Sequence, residues 1–334
     1  MMDDELSCKV DAKYTVVTHN DADGVLCLTE FLKSIDASEY MNVRSYFTTP
    51  NKVRDTICIS TLGQRCETGS LKVFDLTANR GAIIACAMYK DAVWIDHHTW
   101  EKIDILDDKG EFLSVKTFVD ASSPSAASFV SRYYKVSTGL EGYIDEIDKN
   151  RVETKEAKMI RDVIGAIKYA YFGLELSKQF FELAVGLAKS GIDELRDKKY
   201  NQLVENYEKF VRSVEEYAED HVQITKVKGG DGKLKKLAIL ESDKSFPVHI
   251  AFNKLVNHKE APFDVFAVLV HTGEEPDKPR VTKAEFRTMS EQNVYKIARF
   301  FGGGGHRVAS GATVEGGLKA EELVRAIMLL DLST

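Results

Sequence analysis

The sequence predicts an α/β protein: an N-terminal, mostly parallel sheet with helices on both faces, a helical connector, and a smaller C-terminal α/β domain built on a mixed sheet. Three observations carry this expectation. Residues 12 to about 140 alternate short apolar runs of strand character with stretches of helical periodicity, the pattern of a mostly parallel sheet. No proline occurs between positions 125 and 246, where amphipathic helices dominate. Strand-like runs return after the turn signal Lys228-Gly229-Gly230-Asp231-Gly232.

Taken in order, the first strand is the apolar run 14–18, and Val25, Leu26, Leu28, Phe31, Leu32 and Ile35 follow at helical spacing. Runs 71–74 and 92–95 make two more strands, separated by a helix marked by Ile83, Ile84, Ala87 and Met88. Another strand, 115–119, leads into Ser122-Ser123-Pro124-Ser125, a capping sequence for a helix over 126–134. Ile160, Val163, Ile164 and Ile167 mark one connector helix; Leu203, Tyr207, Phe210, Val211, Val214 and Tyr217 mark another. Strands are expected at 237–240, 264–270 and 281–288, with helices at 250–257, 294–301 and 318–330. The expected division is 1–150, 151–225 and 226–334.

A chain of 334 residues is long enough for two cores. No apolar run approaches the ~20 residues of a membrane helix, and the start Met1-Met2-Asp3-Asp4-Glu5 lacks the basic opening of a signal peptide. A cytoplasmic protein with no membrane partner is expected. The five cysteines, Cys8, Cys27, Cys58, Cys66 and Cys86, are odd in number and form no CxxC pair, which argues against a disulfide frame or a zinc ribbon. A net charge of -7 argues against a basic stripe for long duplex nucleic acid. It leaves room for a small phosphorylated substrate held chiefly through metal ions.

The chemistry is concentrated where strands end. His19-Asn20-Asp21-Ala22-Asp23-Gly24 follows the first strand, Asp75 the second, and Asp96-His97-His98 the third; Asp145 and Asp148 lie on a later acidic helix. A lone Asp or His at a strand end is usually a cap. Three clusters in strand order converge, because ligands of parallel sheets bind beyond the carboxyl ends of strands. Asp75 is placed to bridge two ions. A mixed carboxylate and imidazole set suits manganese, with magnesium, cobalt, iron or zinc as other occupants. Two such ions activate a bridging water for in-line attack on phosphorus.

The strings His19-Asn20-Asp21-Ala22-Asp23-Gly24 and Asp96-His97-His98 resemble the first and third motifs of the DHH phosphoesterase superfamily, with Asp75 at the second. The resemblance implies that His19, Asp21 and Asp75 hold one manganese and that Asp23, Asp75, His97 and Asp148 hold the other. Asp145, one helical turn away, is the alternative fourth-motif ligand. It also implies that Asp96 orients an imidazole, while His98 faces the scissile phosphate and stabilises its charge.

Phe301-Gly302-Gly303-Gly304-Gly305-His306-Arg307-Val308-Ala309-Ser310-Gly311 suits either a helix stop or an anion nest of consecutive N–H groups. No Lys-Ser/Thr pair follows as in a Walker loop. The string resembles the glycine-histidine signature of the C-terminal domain associated with DHH enzymes. That likeness implies substrate binding by Gly303, Gly304, Gly305, His306, Arg307 and Arg287. His221, His249, His258 and His271 have no ligand-like partners nearby in the sequence. Size, acidity and domain plan favour a nanoRNase-like, manganese-dependent phosphodiesterase that releases nucleoside monophosphates from short single-stranded oligonucleotides or small nucleotide phosphodiesters. A RecJ-like exonuclease on longer single strands is the second reading, and a non-catalytic replication-complex scaffold the third. Apolar residues on the helices between 156 and 220 suggest a homodimer surface.

Overall fold

The computed structural model describes residues 12–62, 69–149, 151–273 and 280–333. Cys8, Cys66 and Asn150, the last at an expected domain boundary, lie outside the described residues. The chain divides into two compact units, Met1–Tyr207 and Glu208–Thr334.

The first unit runs β1 (Tyr14–His19), α1 (Ala22–Lys33), β2 (Val43–Thr48), α2 (Val53–Ser60), β3 (Ser70–Phe74), α3 (Arg80–Cys86), β4 (Asp91–Asp96), β5 (Glu111–Phe112), β6 (Val115–Val119), α4 (Ala126–Tyr134), α5 (Glu141–Asp148), α6 (Lys155–Ala170) and α7 (Gly173–Ser190). Its sheet has the order β2-β1-β3-β4-β6-β5, parallel except for β5. Period-two alternation sorts each strand between two cores. Val16, Phe74 and Ile95 pack beneath α1, α4, α6 and α7, whereas Val17, Val73 and Trp94 pack against α2 and α3. Leu28, Phe31 and Leu32 of α1 are at most 1% exposed, and each contributes roughly 1.5–3 kcal/mol through burial. Because β1 lies between β2 and β3, the chain leaves it in one direction and returns on the other side. Strand order reverses there, which opens a crevice at the carboxyl ends.

The second unit holds most of α8 (Lys198–His221), then β7 (Gln223–Lys228), β8 (Leu234–Ser242), α9 (Val248–Val256), β9 (Val265–Thr272), β10 (Val281–Arg287), α10 (Tyr295–Phe300), β11 (Gly304–Gly305), β12 (Ala309–Glu315) and α11 (Ala320–Leu329). Its mixed sheet has the order β11-β12-β10-β9-β8-β7, in which only the β8–β9 pair is parallel. No helix among the described residues is long and apolar enough to cross a membrane.

Three features differ from the expectations. Strands β2, β5, β7, β11 and β12, and helices α2 and α7, went unread; β2 and β7 are sheet edges whose side chains are mostly half-exposed, so their apolar signal is weak. The tract 151–225 is mostly helical, through α6, α7 and α8, and its core residues divide between the two units. Ile160, Ile164, Phe180 and Leu187 belong to the first unit's core, Val214 and Ala218 to the second's. Burial within each unit covers these residues of the helices expected to offer a dimer surface, while Tyr169, Phe172 and Leu174 stay exposed. Of the cysteines described, Cys27 and Cys86 are buried and Cys58 is exposed, all as free thiols.

Candidate metal centre

The first candidate ligands come from the turn between β1 and α1. Asp21 caps α1, accepting from the Gly24 N–H at 3.1 Å through Oδ1, while its Oδ2 lies 2.5 Å from His19 Nδ1. Asp23, in the first helical turn, points the other way and is 3% exposed. Its two oxygens accept from the Ala126 and Ala127 N–H groups, both at 2.7 Å, so the start of α4 clamps it as helix N-termini clamp anions. The turn is tight enough to require Gly24: a Cβ there would lie 2.1 Å from the His19 carbonyl oxygen.

Asp75 follows β3 with φ of 55°, a left-handed conformation that Asp tolerates better than most residues. Its N–H donates to the Ile95 carbonyl at 3.1 Å, and its carboxyl is 2% exposed. Oδ2 lies 3.6 Å from His19 Nδ1 and Oδ1 lies 3.7 Å from His97 Nε2. One carboxylate thus lies between the His19 and His97 imidazoles, with His98 Nδ1 also 3.8 Å from Oδ1. His97 Nε2 also lies 3.7 Å from Asp23 Oδ2 and 3.7 Å from Asp148 Oδ2. These separations exceed hydrogen-bond length. Ligand-type atoms of His19, Asp21 and Asp75 lie within 4.8 Å of one another, as do those of Asp23, His97 and Asp148, and those of Asp75, His97 and His98. Asp75 Oδ2 and His97 Nε2 are buried with no hydrogen-bond partner among the described residues. Buried polar atoms are costly unless satisfied, and hard oxygen and imidazole donors in this arrangement fit divalent cations.

Electrostatics point the same way. Burial, reinforced by the charges of Asp148 and Asp21, pushes the Asp23 carboxyl well above the usual carboxylate range. Burial likewise pushes Asp75 well up, with Asp23 and Asp21 adding to it. Asp148 is raised by burial, opposed by His97 and reinforced by Asp21. For Asp21 burial acts upward, but the hydrogen bond and charge of His19 outweigh it, and Lys168 of α6 helps lower it. Four crowded carboxylates bind either protons or cations; a divalent ion relieves both burial and mutual repulsion.

Asp96, 0% exposed, is held on every side. Oδ1 accepts from the His97 N–H and from His98 Nδ1, each at 2.8 Å, and Oδ2 accepts from the Trp100 indole at 2.6 Å. Burial raises its pKa, but the hydrogen bonds from His98 and Trp100 prevail and keep it below the usual range. The Asp96 hydrogen bond raises the pKa of His98, whose side chain is 48% exposed. Asp145, the alternative to Asp148, is engaged elsewhere: its Oδ1 accepts from Ser125 at 2.6 Å and Ser128 at 2.8 Å. Sequence reasoning missed Trp100, Lys168 and these serines; only Ser125 had a signal, as the expected cap of the helix.

In the second unit the glycine cluster forms no row of free N–H groups. Gly302 ends α10 with φ of 77°, and the Gly302, Gly303 and His306 N–H groups donate to the Arg299, Ala298 and Ala309 carbonyls. Gly304 and Gly305 pair with Gly311 and Ser310 in a tight hairpin. A Cβ on Gly303 would lie 2.1 Å from the Gly311 carbonyl oxygen. The anion-nest expectation is therefore corrected: these glycines serve a helix stop and close backbone approach. His306 is exposed at the turn, and Arg307 is tied to Glu291 at 3.1 Å. Arg287, in register with Ala309 of the hairpin, contacts Glu285 at 3.3 Å. His271 is structural, buried between Thr282 and Glu241.

No protein-family model matches the sequence, and no curated protein matches it. Solved structures do. The DHH domain of a protein assigned to a family of ribosomal proteins aligns with 96% of this chain and 87% of its own, at 13% identity and a TM-score of 0.62. The pGpG-specific phosphodiesterase PggH of Vibrio cholerae aligns with 91% of this chain and 94% of its own, at 15% identity and a TM-score of 0.57. The fold is that of the DHH-domain proteins.

Proposed function

We propose that this chain, which has the DHH-domain fold, is a divalent-metal-dependent phosphodiesterase acting on dinucleotides or short single-stranded oligonucleotides. The observation that carries the reading is the convergence of His19, Asp21, Asp23, Asp75, His97 and Asp148, with Asp75 Oδ2 and His97 Nε2 buried and unanswered. His19, Asp21 and Asp75 would hold one ion; Asp23, Asp75, His97 and Asp148 would hold the second, with manganese the expected occupant and magnesium or cobalt substitutes. When bound, the ions supply Lewis acidity toward the phosphoryl oxygens and lower the pKa of the attacking water.

The chain's own residues do the rest. The α4 N-terminus fixes Asp23, and Asp75 divides its oxygens between the two ligand sets. Asp96 holds the His98 ring, and the exposed edge of that ring stabilises charge on the nonbridging phosphate oxygens. Residues 1–150 form the catalytic domain in this reading, and 226–334 the substrate-binding one. Arg287, His306 and the hairpin of Gly303, Gly304 and Gly305 are the substrate-binding residues of that second unit in this reading. Similarity to a pGpG-specific phosphodiesterase over nearly the full length of both chains supports a short substrate.

The test is a length series, from dinucleotide to about 24-mer, with purified protein and manganese. Rates that fall with length support the proposal. Rates that rise favour a single-strand exonuclease, and no hydrolysis at any length favours a scaffold.

A further inference from the structure

Trp100 lies four positions after Asp96 and is no part of the ligand set. Its indole N–H nevertheless makes a 2.6 Å hydrogen bond to Asp96 Oδ2. Asp96 has no water-facing surface, and its other oxygen is already shared between the His97 N–H and His98 Nδ1. Among the described residues the indole is thus the one donor to Oδ2. Beneath it Trp100 meets Trp94 edge to face, with ring centroids 5.6 Å apart at 83°. The Trp94 indole in turn donates to the Leu76 carbonyl at 2.7 Å, one residue past Asp75. A single aromatic pair therefore underlies both the Asp75 turn and the Asp96-His97-His98 segment.

We propose that Trp100 is a positioning residue for His98: its indole fixes the Asp96 carboxylate, which holds the His98 ring with Nδ1 inward and Nε2 on the exposed edge. An ionised carboxylate only accepts hydrogen bonds, so His98 Nδ1 must carry the proton shared with Asp96. That assignment keeps Nδ1, 3.8 Å from Asp75 Oδ1, from acting as a metal ligand. It leaves Nε2 for substrate. Without the indole, Oδ2 stays buried and unpaired, and the carboxylate turns to find another donor. The His98 ring turns with it. A packing role for Trp100 needs only the ring; a positioning role needs the N–H.

The role in turnover rests on the phosphodiesterase reading, and the test separates the two. Trp100→Phe keeps an aromatic ring against Trp94 and removes the donor. In the metal-free protein, the downfield proton resonance of His98 Nδ1–H, assigned by its loss in His98→Ala, is expected to move upfield or vanish in Trp100→Phe. With manganese, kcat is expected to fall about 10-fold, as for other residues that orient groups at a metal site, with KM and metal stoichiometry unchanged. An unchanged resonance overturns the proposal. So does a fall in kcat that brings equal losses of metal and substrate affinity, the mark of general structural damage. If Trp100→Phe does not fold, 3-benzothienylalanine at position 100 keeps the indole shape and lacks only the N–H, and the same resonance decides. If the wild-type chain hydrolyses no phosphodiester, the activity reading fails while the resonance still decides the role of Trp100.

Discussion

Asp75 and His97 each bury a polar atom that no described protein group answers, which marks both as candidate metal ligands. His98 differs from both, because its Nδ1 is taken by Asp96 and its ring is half exposed. His98→Ala is therefore expected to keep two ions by titration calorimetry and to lose turnover by roughly 10²–10³-fold, the cost of removing one stabiliser of transition-state charge. Loss of an ion in that variant would contradict the division of labour. Asp148 and Asp145 make a second contrast, since only Asp148 faces His97, while Asp145 accepts from two serines at the start of α4. Asp148→Ala is expected to bind one ion fewer. Asp145→Ala should bind both ions yet lose about 1–3 kcal/mol of stability through the orphaned serine hydroxyls; equal ion counts in the two variants would refute the assignment. The sequence placed both aspartates on one acidic helix, but which of them turned to the histidine depended on the position of α4.

Among elements, the β1–α1 turn is the most constrained. The helix begins so close to the end of β1 that a methyl group on residue 24 would overlap the His19 carbonyl, and Thr18 Oγ1 reinforces the approach by donating to the Gly24 carbonyl at 2.9 Å. Gly24→Ala is expected to cost about 1–3 kcal/mol or more and to pull His19 away from Asp21, so that stability and metal affinity fall together. Denaturant midpoint and calorimetry measure both; wild-type values for either would show the turn to be more compliant than its geometry. The strands carrying ligands were legible because buried parallel strands are continuous apolar runs that stop at polar residues. Edge strands β2 and β7 were not, since their half-exposed pattern is close to that of a loop. The glycine cluster was legible as a helix stop, but its pairing with β12 depends on the turn over 306–308 that brings Ala309–Glu315 back.

For the whole first unit, buried carboxylates set the response to pH. Glu30 of α1 is fully buried, accepts from Thr138 through Oε1 and leaves Oε2 without a partner among the described residues. Burial pushes its carboxyl from the ordinary 4.5 up to about 7. The native state then binds this proton more tightly than the unfolded chain does, so the contribution to stability is full below pH 4.5 and declines as pH rises toward 7. The raised Asp23, Asp75 and Asp148 carboxyls act with the same sign in metal-free protein. Unfolding free energy without metal is expected to fall over that window, Glu30→Gln to flatten part of the slope, and divalent ion at 100 times its Kd to restore about 2.7 kcal/mol. A pH-independent midpoint in the metal-free protein would contradict this account. By itself the sequence determined the fold class, the strands that carry ligands and the residue types gathered at their ends, because apolar periodicity and polar punctuation are local properties. Only the tertiary structure decided that Asp75 lies between His19 and His97, that Asp148 rather than Asp145 approaches His97, that Trp100 reaches Asp96, and that the glycines close a hairpin instead of a nest. The first two outcomes depend on distances between segments far apart in the chain, set by how β1, β3, β4 and α4 pack; the last two are short-range but depend on the turn the backbone takes, which composition alone does not specify.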